Sequence, residues 1–167
     1  MTALKRVRQT IHIRLDAEPF PVEPRKLRTL VREVLRRHGV SSARVDVVLT
    51  DDAQMRKMHQ TFLQDPRTTD VISFDLSGPE TPQPCFQILV NAAMALREAR
   101  RRGHSPQAEL SLYLIHGLLH NLGFDDSRPE SAEQMHKREE ELLRLFGYPP
   151  VYYSSPQKKT GRRNRRE

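Results

Sequence analysis

Two histidines four residues apart, and an aspartate six residues beyond the second, are the part of this chain best suited to chemistry. They lie in the run His116-Gly117-Leu118-Leu119-His120-Asn121-Leu122-Gly123-Phe124-Asp125-Asp126. On an α-helix, positions four apart stack on one face, so both imidazoles can converge on a single cation. Gly123 can adopt the left-handed backbone that ends a helix without a side-chain penalty, and the chain can then return a third ligand to the same point. Two imidazoles and one carboxylate are a donor set that zinc accepts while keeping an open position for water. The same donors suit iron and other divalent ions. Asp125 competes with Asp126 for the third place, and the six-residue step from His120 favours Asp126 by analogy with related zinc helices.

The alternative is that both histidines are ordinary members of a buried helix, since Leu110, Leu114, Leu118 and Leu122 make its surroundings apolar. A lone histidine on such a face would be structural. Two at helical spacing, followed by a helix-ending glycine and a carboxylate, form a much rarer combination. Metallopeptidases built on His-Glu-x-x-His use the glutamate beside the first histidine as general base. Here Gly117 stands in that place, so peptide hydrolysis loses its proton acceptor while the metal geometry survives.

The elements needed to hold this segment can be read along the chain. Ile11, Ile13 and Leu15 alternate with Thr10, His12 and Arg14, predicting a half-buried strand near residues 8–16 that Pro19-Phe20-Pro21 ends. Pro24 opens a helix with an apolar stripe of Leu27, Leu30, Val31, Val34 and Leu35, closed by Gly39. Its other face carries Arg25, Lys26, Arg28, Arg32, Arg36 and Arg37, which could follow a nucleic-acid backbone; a solvated helix face is the commoner meaning of such a row. Val45 to Leu49 reads as an inner strand, and Asp51-Asp52 offers a cap to a helix using Met55, Met58 and Phe62. Val71 to Phe74 and Phe86 to Val90 read as strands joined by a proline-rich connector that holds Cys85, and therefore as antiparallel neighbours. Helices follow over 92–102, closed by Gly103, from Ser105-Pro106 through the two histidines, and over about 129–146. In the last, Met135, Leu142, Leu143 and Phe146 are expected inside, with Glu139, Glu140 and Glu141 facing water or lying near the metal.

The expected architecture is one α+β domain over 1–150, a mostly mixed sheet of about four strands packed with about five helices, with the metal site on a long central helix. A chain of 167 residues with 37% apolar residues can bury such a core, and no apolar tract is long enough to span a bilayer. The amino terminus has basic residues but no apolar run behind them, so no secretory signal is expected. A single cysteine, Cys85, fits a reducing compartment, and a cytoplasmic location is expected.

The net charge of +7 points to a polyanionic partner such as nucleic acid. Lys158, Lys159, Arg162, Arg163, Arg165 and Arg166 against Glu167 give the last ten residues five of those seven charges and leave the rest at +2. Residues 151–167 therefore read as a basic tail, and the lack of apolar residues beyond Tyr153 predicts disorder. Such a tail is either a solvated end or a sequence-blind phosphate-binding arm.

The order of elements and two motifs together resemble the YbeY family of metal-dependent endoribonucleases, which mature ribosomal RNA. The resemblance runs from about residue 10 to residue 146. It is carried by the metal segment, where the family has His-Gly-x-Leu-His-x-x-Gly-Phe/Tyr-Asp-His, and by Thr69-Asp70-Val71-Ile72-Ser73-Phe74, where it has Thr-Asp-Val-Leu-Ser-Phe. The resemblance implies a single-strand endoribonuclease acting in 16S-type rRNA maturation, with Zn2+ or another divalent ion, and with RNA and the small ribosomal subunit as partners. This chain departs from the pattern at three places. Asp126 stands where the family has a third histidine, Leu63 falls where its loop has an arginine, and Phe86-Gln87 replaces Gly-Asp or Gly-Glu at a strand start. Arg67, four residues after Leu63 and still before Thr69, is the candidate catalytic residue to supply the missing cation. Asp125, Asp70 and the glutamates of the last helix are open as general acid, general base or orienting partners of a metal-bound histidine. The rival readings are a ribosome-associated RNA-binding assembly factor with a structural metal and a zincin-like metallopeptidase.

Overall fold

A computed structural model describes residues 8–16 and 20–149; the basic tail and Pro19 lie outside the described residues. The elements are β1 (Arg8–Leu15), α1 (Pro24–Arg37), β2 (Ser42–Thr50), α2 (Asp52–Leu63), β3 (Val71–Asp75), β4 (Cys85–Asn91), α3 (Ala92–Arg102), α4 (Pro106–Asn121) and α5 (Pro129–Leu145). Helix starts are set by local chemistry. Asp51, Asn91 and Ser105 each accept a bond from the backbone N–H three residues on, at 2.9, 3.0 and 3.1 Å, and prolines occupy the first turns of α1, α4 and α5.

The sheet order is β1-β2-β4-β3. β1 and β4 both run parallel to β2, while β3 runs antiparallel to β4, as the helix-free connector between them requires. Register lines up an apolar row across three strands: Ile13 faces Val47, and Val47 faces Ile88. These side chains meet Leu27, Leu30, Leu110, Leu114 and Leu118 of α1 and α4 in one core. A smaller cluster of Val48, Met55, Ile72 and Leu89 lies under α2 on the opposite face.

Several details differ from the sequence expectation. α2 buries Met55 fully and packs Met58 partly on the same cluster, whereas Phe62 is 56% exposed and leans edge-to-face on Phe74. Cys85 is not in the connector but begins β4. Of the three consecutive glutamates Glu139, Glu140 and Glu141 in α5, the first two are buried and Glu141 is exposed.

The helix that carries the histidines is held unusually close to the sheet. A Cβ added at Gly117 would lie 2.9 Å from a methyl of Val71 and 3.0 Å from a methyl of Ile88. Only glycine allows that approach without moving a strand.

Candidate metal centre

α4 presents His116 and His120 one turn apart near its C-terminal end. After Asn121 the chain leaves the helix, Gly123 takes a positive φ of 95°, and the Phe124 N–H closes back on the Leu119 carbonyl at 3.0 Å. That turn brings Asp126 round to the histidines. Nε2 of His116 and Nε2 of His120 are 3.1 Å apart, and Oδ2 of Asp126 is 3.5 Å from the first and 3.6 Å from the second.

This triangle can be tested against an ion. Tetrahedral zinc with bonds of about 2.0–2.1 Å to nitrogen and oxygen needs donor atoms about 3.3 Å apart. The three observed edges bracket that value. The donor chemistry agrees: each atom carries a lone pair, and two imidazole nitrogens facing each other with a carboxylate alongside repel unless a cation or proton lies between them. His116, His120 and Asp126 therefore fit a divalent ion and could hold one.

Behind this trio stands Glu139. Its carboxylate is fully buried, and Oε1 accepts from Nδ1 of His116 at 2.5 Å. This bond places the proton on Nδ1 and turns the lone pair of Nε2 toward Asp126 and His120, the arrangement that orients a metal-binding imidazole. Burial disfavours a charged His116, but the bond to Glu139 and its negative charge outweigh that, so the imidazole is raised above its ordinary pKa. Asp125, the rival third ligand, is turned away: Ser127 holds its carboxylate through the backbone N–H at 3.0 Å and the hydroxyl at 2.5 Å.

The loop between α2 and β3 brings the second motif to the same region. Asp70 accepts from Val71 N at 2.9 Å and Thr69 Oγ1 at 3.1 Å, both through Oδ1, and its charge reaches His116. Sequence reasoning missed what fixes this loop. The buried amide of Asn91 donates to Asp52 Oδ1, Thr68 Oγ1 and the Thr69 carbonyl at 2.9, 3.1 and 3.2 Å. The same Asp52 is held by Arg97. The only local signal was an asparagine before a helix.

Arg67 has its partner on its own loop. Its guanidinium is 85% exposed and forks onto Asp65 two residues back, with Nη2 to Oδ2 at 2.6 Å. Leu63 ends α2 and is 55% exposed. Phe86 is a core residue near the start of β4.

The fold has a counterpart in a solution structure from Thermotoga maritima, with a TM-score of 0.56 and 22% identity over 92% of this chain and 100% of that one. In sequence, the profile of the family described as endoribonuclease YbeY matches residues 12–147. The chain belongs to the YbeY family. Relatives bearing the name endoribonuclease YbeY include one from Syntrophus aciditrophicus, 32% identical over 154 residues that cover 88% of this chain and 96% of its own. Another, from Anaeromyxobacter, is 36% identical over 74% of this chain and 65% of its own, and one from Myxococcus xanthus is 36% identical over 71% of this chain. This chain thus spans less than two thirds of those last two YbeY proteins, and 42% of the Myxococcus one. In this YbeY chain, no helix among the described residues is long and apolar enough to cross a membrane.

Proposed function

We propose that this protein is a metal-dependent endoribonuclease that cuts single-stranded RNA, acting in the maturation of 16S-type ribosomal RNA at the small ribosomal subunit in the cytoplasm. The observation that carries the reading is the triangle of His116, His120 and Asp126 with Glu139 bonded behind it. His116, His120 and Asp126 are the proposed ligands, and Zn2+ is the proposed ion. When bound, such an ion lowers the pKa of its water toward neutrality and polarises a phosphoryl oxygen.

The chain's own residues do the rest. Glu139 keeps His116 in one tautomer, so its donor atom faces the site at every turnover. Asp70 is the proposed proton-handling carboxylate: its hydrogen bonds go to Oδ1, which leaves Oδ2 to accept a proton from a nucleophile or return one to a leaving oxygen. Arg67 is the proposed phosphate contact, a permanently charged fork on the loop that also carries Thr69 and Asp70, and it must exchange Asp65 for a phosphate oxygen to act. The cytoplasmic reading is supported by the single cysteine and by the kind of substrate.

Peptide hydrolysis has an added obstacle beyond the missing glutamate. A side chain at position 117 would collide with Val71 and Ile88, so that place cannot hold a general base in this packing. The assembly-factor reading is favoured by one observation, the Arg67 guanidinium already occupied by Asp65.

Purified protein incubated with single-stranded RNA and with casein, with and without a chelator, separates the three. Chelator-sensitive RNA cleavage that His116→Ala and His120→Ala abolish is expected. Cleavage of casein alone overturns the proposal, and RNA binding without cleavage supports the assembly factor.

A further inference from the structure

We propose that Arg25, Arg28 and Arg32, on the solvent side of α1, form a second contact surface for RNA that grips the sugar–phosphate strand independently of the metal centre. The inference rests on the proposed RNA substrate and concerns how that substrate is held.

α1 buries Leu27, Leu30, Val31, Val34 and Leu35. At 100° per residue, Arg25, Arg32 and Arg36 fall on the side opposite that stripe, with Arg28 on its flank. Among the described residues, α1 gathers three guanidiniums without a carboxylate partner, whereas Arg56 on α2 and Arg100 on α3 are each the single such guanidinium of their helix. Arg14, Arg44, Arg67, Arg97, Arg101 and Arg102 are each held by a carboxylate on their own or a neighbouring element. On α1 itself, Glu33 is taken by Arg36 and Arg37, which hold its carboxyl down at about 2, and Glu23 is taken by Lys26. Among the described residues, no carboxylate lies within ion-pair distance of Arg25, Arg28 or Arg32. A row of guanidiniums that a helix keeps clear of its own acids has its full donor set open to an anion.

The spacing suits a polymer rather than a single ion. Seven residues of helix span roughly 10 Å, which matches about three nucleotides at the 3.4 Å rise of a stacked strand. A depression of about 400 Å3 opens at one end of the row, lined by Thr29, Arg32, Arg36, Gly39 and Val40. Arg32 belongs to both features. Glu33 also borders the depression, but its charge is already neutralised. A single strand can lay its phosphates on the arginines and splay one base into this hollow, the mode in which unpaired RNA is usually held.

The test uses the full chain with His116→Ala, so that binding is read without cleavage, and a single-stranded 20-nucleotide RNA. Arg25→Gln/Arg28→Gln/Arg32→Gln is compared with Arg56→Gln/Lys57→Gln/Arg100→Gln, which removes the same charge from α2 and α3. With about 0.7 of salt slope per phosphate contact on single strands, the α1 variant should lower the slope of log K against log salt by about 2. The control variant should lower it by well under 1. Without the His116 change, the α1 variant should raise KM severalfold and leave kcat within about twofold. An equal fall in slope for both variants, or no fall for the α1 variant, overturns the inference. If unaltered protein cuts RNA but the slope does not respond selectively, this surface is wrong and the nuclease reading stands. If no RNA is cut while the slope responds selectively, the nuclease reading fails and the surface stands.

Discussion

Glu139 illustrates how much a single contact decides at this site. The sequence offered three consecutive glutamates without distinguishing them, because which one reaches His116 depends on how α5 crosses α4, a packing relation no local pattern encodes. The structure selects the one that is fully buried. Replacing it with glutamine keeps the shape but removes the charge that holds the Nδ1 proton. Glu139→Gln should lower metal affinity by about 10- to 100-fold, measured by competition with a chelating dye; unchanged affinity would show that the bond does not support the ligand. The two histidines were legible from spacing alone, since helix geometry is local. Asp126 was legible only by analogy, and its separation from Asp125 comes from the Ser127 bonds that turn the earlier carboxylate outward. In the proposed site, Asp126→Ala should lose most of its bound metal by elemental analysis, whereas Asp125→Ala should retain it.

Among the elements, the close contact of α4 with β3 and β4 is the strongest constraint. Gly117→Ala would push a methyl against Val71 and Ile88, which sit in paired strands and cannot swing aside. Overpacking of this kind costs about 1–3 kcal/mol, and thermal melting should report a Tm lower by several degrees. An unchanged Tm would mean the strands yield easily. The loop before β3 has its own anchor in Asp52, whose carboxyl Arg97 and Asn91 hold down at about 2. A carboxyl with a lowered folded-state pKa adds stability above its ordinary value near 3.8, and that contribution disappears as the pH falls toward 2. Arg97→Gln should therefore flatten the acid limb of a stability-versus-pH curve between about pH 4 and 2, read by denaturant unfolding. Helix starts were readable because caps and prolines act within three residues. The sheet order β1-β2-β4-β3 was not, because insertion of β4 beside β2 is settled by burial of Ile88 and Val90 against α4, far away in sequence.

For the whole molecule, charge placement matters more than its sum. Five of the seven net positive charges lie in the last ten residues, and α1 adds a clear arginine row on the domain itself. Ending the chain after Gln157 would leave a net charge of +2. If the tail takes part in gripping RNA, this truncation should flatten the salt dependence of binding while leaving cleavage of short RNA intact; an identical slope assigns the tail to solvation.

The proposed ligands also differ in how firmly each is held. His116 and His120 ride on a helix whose other residues are mostly buried, but Asp126 is 40% exposed and hangs from a turn with no fully buried residue among 123–128. Segments of that kind open far more often than the domain as a whole unfolds. Ion release should therefore be timed by brief excursions of this turn rather than by global unfolding. Amide hydrogen exchange over 123–128 should slow when the ion is added, while exchange within the buried part of α4 barely changes.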